Sequence, residues 1–149
     1  MRGFPLKFKG KIYKACVQSV LLYGSEIWAM KVEDMNKLER AERSMLRMMC
    51  DVSLKDRKSS QEIVSWLGID PVSILAKRGR LRWFGHVERK NKEDWVSSSR
   101  DMKVDGARSR GRDKKTWTEC TGSDMMHFGR GGEMCKIMKY RKTGLLETV

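Results

Sequence analysis

The sequence predicts an all-α protein, a small helical bundle followed by a flexible basic linker and a weak C-terminal helix. Apolar residues recur at intervals of three and four through roughly the first 90 positions, and no stretch alternates apolar with polar residues over the length of a strand. Helix start and stop residues flank the same windows: Ser59 stands three before Glu62, Gly68 follows Leu67, and Asp70 precedes Pro71. The 149 residues give room for one compact domain or two small helical lobes. With 40% hydrophobic and 34% charged residues, any core is thin.

The first helix is expected from about Lys7 to Tyr23, with Phe8, Ile12, Ala15, Cys16, Val20 and Tyr23 on an inward stripe and Gly24 ending it. The second, and strongest, runs from about Glu33 to Cys50. Its apolar side reads Met35, Leu38, Ala41, Met45, Met48 and Met49, which leaves Glu39, Arg40, Glu42 and Arg43 outside. A short helix from about Ser60 to Leu67 is anchored by Ile63, Val64, Trp66 and Leu67. After the Asp70–Pro71 start, Val72, Leu75, Gly79, Trp83 and Val87 carry a helix to about Glu88, with Lys77, Arg78, Arg80, Arg82 and Arg89 on its other side. From Asn91 to Lys115 the composition turns to charge, serine and glycine, as a flexible basic linker would. A last helix is expected from about Lys114 to Met126, weakened by Gly122 and the glycines that follow. The division is therefore a helical domain over 1–90 and a partly disordered linker and extension over 91–149.

Charge points to the partner. Thirty-two bases against 19 acids give a net charge of +13, and residues 76–115 alone hold 14 bases and 6 acids. Arginine presents a planar fork of donors that matches phosphate oxygens and releases counterions when it binds a nucleic acid. Arg78, Arg80 and Arg82 alternate with apolar residues ahead of Trp83 and Phe84, and Arg108, Arg110, Arg112, Lys114 and Lys115 lie on the linker, so these bases are the candidate phosphate contacts. Phe84 is a candidate stacking platform for a base, whereas Trp83 falls on the apolar stripe and is expected to pack. RNA and DNA both fit this chemistry. The competing account of such a run is a solvated helix face with a loose tail.

Other chemistry is missing. No nucleophile elbow, phosphate-cradling loop, H-E-x-x-H pair or helix-opening glycine fingerprint is present, so no catalytic residue and no cofactor is assigned. His86 is a lone imidazole. Cys120, His127 and Cys135 are separated by six and seven residues, unlike the short pairings that place two zinc ligands on one turn, and no metal site is assigned. Cys16 and Cys50 read as small core residues. The acid pairs Glu33–Asp34 and Glu93–Asp94 suit helix starts. No run approaches the roughly 18 apolar residues of a membrane span, and with no secretory signature the thiols are expected to be reduced, in cytoplasm or nucleus.

Four segments stand in a telling order: LYGSEIW at 22–28, LERAERSMLR at 38–47, GRLRWFGHV at 79–87 and RGRDKKTW at 110–117. Together, over about residues 5–128, they resemble the C-terminal end of reverse transcriptases encoded by non-LTR, LINE-type retrotransposons, the thumb and basic extension that follow the polymerase palm. The resemblance implies descent from an RNA-directed DNA polymerase in which this part holds template, primer or target strand, with the palm itself as a further partner. The palm's paired aspartates have no counterpart, since the sequence contains no adjacent aspartates, so no activity is expected of this chain alone. Asp113 stands where many relatives carry proline after the second arginine of the RGR motif, and the glycines after Cys120 exceed those of the family's last helix. Both fit a decayed or truncated copy in which Met1 is an internal methionine. Two alternatives stay open: a non-functional remnant, and a helical protein-interaction module that takes a partner helix on Met45, Met48 and Met49. No membrane and no small-molecule substrate is expected.

Overall fold

A computed structural model describes residues 3–91, 93–102 and 115–129. They form α1 (Leu6–Ile12), which runs on through a π-helical stretch (Tyr13–Gln18) into α2 (Ser19–Leu21), then α3 (Val32–Cys50), a 3-10 turn (Leu54–Asp56), α4 (Ser60–Leu67), α5 (Val72–Glu88), α6 (Trp95–Asp101) and α7 (Trp117–Gly129). No strand occurs among the described residues, so the fold is all-α as expected. The chain divides into two units within α5: Met1–Ser25 with Met30–Ala76, and Glu26–Ala29 with Lys77–Val149. The sequence had suggested a division near residue 90.

The first unit is built around Tyr13, Leu46, Ile63, Leu67 and Ile69, with Val17, Met45, Met49, Val64 and Trp66 packed against them. α4 has the expected ends: the Ser59 hydroxyl accepts the Glu62 N–H at 3.2 Å, and Gly68 closes the helix at a φ of 64°. α1 meets α4 at Gly10, where a β-carbon would stand 2.0 Å from the Leu67 carbonyl oxygen. Only glycine permits that approach.

The inward stripe expected for the first helix is corrected. Gly10, Tyr13 and Gln18 are buried, whereas Phe8, Ala15, Cys16, Val20 and Tyr23 are exposed, so Cys16 is not a core residue. Ahead of Tyr13 the inward side is set by Gly10 against Leu67, which leaves Phe8 outside; from Tyr13 on, the wider turn of the π-helical stretch displaces the later residues from the 3.6-residue register. On α3 the same kind of correction applies. Leu46 and Glu42 turn inward, and Ala41 and Met48 turn out.

Glu42 is buried because it has work there. Its two carboxylate oxygens accept the Val72 N–H at 3.0 and 3.2 Å, capping the first turn of α5, and the Tyr13 hydroxyl donates to it at 3.4 Å. The Gln18 amide donates to the Asp70 carbonyl at 2.8 Å and holds the entry to the same helix. Loss of water raises the Glu42 pKa above the ordinary carboxylate range, an effect partly offset by the Val72 N–H. Burial and the Glu42 charge likewise raise the Tyr13 phenol. A carboxyl whose folded pKa is raised binds more protons folded than unfolded, so its contribution is complete below the unfolded pKa and is lost as pH climbs through the folded one. Stability is expected to fall between the ordinary carboxylate pKa and the raised one, and Glu42→Gln, which keeps an acceptor for Val72, should flatten that fall. Urea melts of both proteins across mildly acidic to neutral pH check it; a Glu42-dependent rise in stability over that range would refute it.

The second unit is pinned by a buried ion pair. Arg80 Nε donates to Asp124 of α7 at 2.7 Å, with side-chain exposures of 4% and 7%, and Arg80 Nη1 reaches the Trp28 carbonyl at 3.4 Å. The Trp117 indole N–H donates to the Glu26 carbonyl at 2.8 Å. Leu81, Val87, Cys120, Thr121 and Phe128 are buried. The region read as linker begins instead with α6, whose N-terminus is capped by Asp94 accepting the Val96 N–H at 3.0 Å. Lys90, 2.8 Å from the Asp94 carboxylate, holds its pKa below the ordinary range, with help from the Val96 N–H. Arg100 of α6 pairs with Glu88 of α5. α7 opens on a reciprocal box between Thr116 and Glu119, each backbone N–H donating to the other's side chain at 3.3 Å. It lies three residues later than expected and accommodates Gly122.

Candidate nucleic-acid interface

The bases singled out in the sequence separate into three groups. Arg82 and Lys115 are exposed, and Arg78 is half-buried with an interaction of its own. Arg80 is corrected: at 3% exposure, with its guanidinium engaged by Asp124 and the Trp28 carbonyl, it cannot meet a phosphate without breaking the unit's central ion pair. Arg108, Arg110, Arg112 and Lys114 lie outside the described residues. Two bases of the same unit add to the accessible set, exposed Arg89 and the partly exposed, Glu88-paired Arg100.

The aromatic residues are half-buried. Phe84 lies against Trp117, ring centroids 6.0 Å apart and planes 35° apart, and Trp83 lies 5.3 Å from the His86 ring. Phe84 is thus already in an aromatic contact. Beside it the second unit holds a cavity of about 490 Å³, bordered by Ile27, Trp83, Val87, Arg100, Thr116 and Trp117. Sequence reading missed Trp117 and Arg100. Trp117 closes the RGRDKKTW segment, which was the available signal; Arg100 sat in a stretch read as structureless.

The remaining candidates are dispersed. Cys120 is buried in α7, His127 is exposed with its ring edge-on to Phe128 at 5.0 Å, and Cys135 lies outside the described residues. No group of three potential ligands converges among the described residues. Met45 and Met49 pack against the first unit's core while Met48 is 79% exposed, so the three do not present one face. No helix among the described residues is long and apolar enough to cross a membrane. Comparison of the chain with protein-family models, curated proteins and solved structures gave no match.

Proposed function

We propose that this chain is a strand-holding, non-catalytic piece of a LINE-type reverse transcriptase, and that it grips RNA or DNA through its phosphates. The observation that carries the reading is the partition of the basic helix α5. One arginine, Arg80, is spent inside as a scaffold, while Arg82 on the same helix is exposed, with exposed Lys115 ahead of α7. A solubilising surface needs far less than the chain's net charge of +13, which a polyanion would neutralise. The family resemblance supplies the particular polyanion. Phosphate contacts hold register without reading sequence, which suits a region that steadies a template or primer for chemistry performed elsewhere.

Fluorescence anisotropy with labelled oligonucleotides tests it. If about six phosphates are neutralised, log K falls with log salt at a slope near −5, and removing Arg82 and Lys115 by alanine substitution lowers that slope by about 1 each. A salt-independent affinity, or none in dilute buffer, would overturn the reading. So would extension of a primed RNA template by the purified chain.

A further inference from the structure

We propose that the cavity of the second unit receives one unpaired nucleobase from a nucleic-acid strand. The inference deepens the preceding reading and rests on it, but it names a separate site that phosphate binding does not require. Two indole rings border the space. Trp117 is held by its N–H bond to the Glu26 carbonyl, and Trp83 lies against the ring of His86. Ile27 and Val87 extend the apolar wall, and the hydroxyl-bearing Ser99 and Thr116 lie on the same lining.

An apolar ligand alone would leave the charged part of this lining unexplained. Arg100 borders the cavity and pairs with Glu88, and exposed Lys115 immediately precedes the lining residue Thr116. Aromatic walls beside cations match a base joined to a phosphodiester, the combination by which single strands are held. At about 490 Å³ the space is of the size that takes a small ligand, enough for one base and its sugar. Single strands are therefore selected over double strands, because only they offer a base without the cost of unpairing it.

The test measures binding of the full chain to a short oligouridylate and to a duplex of the same length. Trp83→Ala is expected to weaken the single strand by roughly five- to hundredfold, with duplex affinity and salt slope unchanged. Trp83→Phe should keep most of the affinity. Because Trp83 also packs, Ser99→Trp provides an obstruction at an exposed position and should weaken the single strand comparably, with helical content verified by circular dichroism. If both substitutions leave single-strand binding intact, or reduce duplex binding as much, the base site is refuted while salt-dependent phosphate binding stands. If neither nucleic acid binds the parent chain in dilute buffer, the strand-holding function falls and the base site with it.

Discussion

Gly10→Ala is expected to destabilise the first unit by about 2 kcal/mol or more, against the sign that helix propensity alone would give. Alanine in a helix interior is ordinarily better than glycine by about 1 kcal/mol. At Gly10 the added methyl would stand 2.0 Å from the Leu67 carbonyl oxygen and 2.9 Å from its carbon, both backbone atoms that no side-chain rotation can move aside. α1 and α4 must then separate, loosening Tyr13 from Ile63 and Leu67 in a core that has few other members. Gly79 is the internal control. Nothing lies within 4 Å of a β-carbon built there, so Gly79→Ala should stabilise the protein by up to about 1 kcal/mol. Denaturant melts of the two variants should move in opposite directions from the parent, and a shared direction would show that the α1–α4 approach is not what Gly10 provides.

Arg80→Met is expected to cost about 3–5 kcal/mol, because it strands the Asp124 carboxylate in a buried site without its cation. Replacing both partners by apolar residues, Arg80→Met with Asp124→Leu, should recover most of that loss, since the pair's mutual attraction does little more than offset the desolvation of two charges. The double variant also separates scaffold from contact. Its salt slope for nucleic-acid binding should equal the parent's, whereas the exposed Arg82 changes the slope when removed. A double variant as unstable as Arg80→Met would refute the account, and a reduced slope would return Arg80 to the phosphate contacts.

What could be read in advance was local. Ser59, Gly68 and Asp94 act on backbone groups within a turn of themselves, as the residue pattern suggested, and Glu33 and Asp34 stand in the first turn of α3. What escaped depended on partners far along the chain. Glu42 meets Val72 thirty positions away, and Arg80 meets Asp124 forty-four positions away, so each looked like one more surface charge. The π-helical stretch was illegible for another reason. A periodicity argument presumes 3.6 residues per turn, and where that fails every assignment downstream of Tyr13 rotates together. α6 was hidden by its composition: WVSSSRD has little intrinsic helicity, and it is supported by the Asp94 cap, the buried Ser97 and the Arg100–Glu88 pair. Of the binding surface, the exposed bases were legible as residue types, but which arginine would turn inward was not.

The four residues Glu26–Ala29 have a bearing on how the protein is made. They belong with Lys77–Val149, yet the whole of Met30–Ala76 lies between them in the chain. A ribosome therefore delivers the carbonyls that will receive Trp117 and Arg80 long before either side chain has been synthesised. No single cut yields two self-sufficient halves: a gene fragment that starts at Lys77 would express a shortened α5 with α6 and α7, without those acceptors.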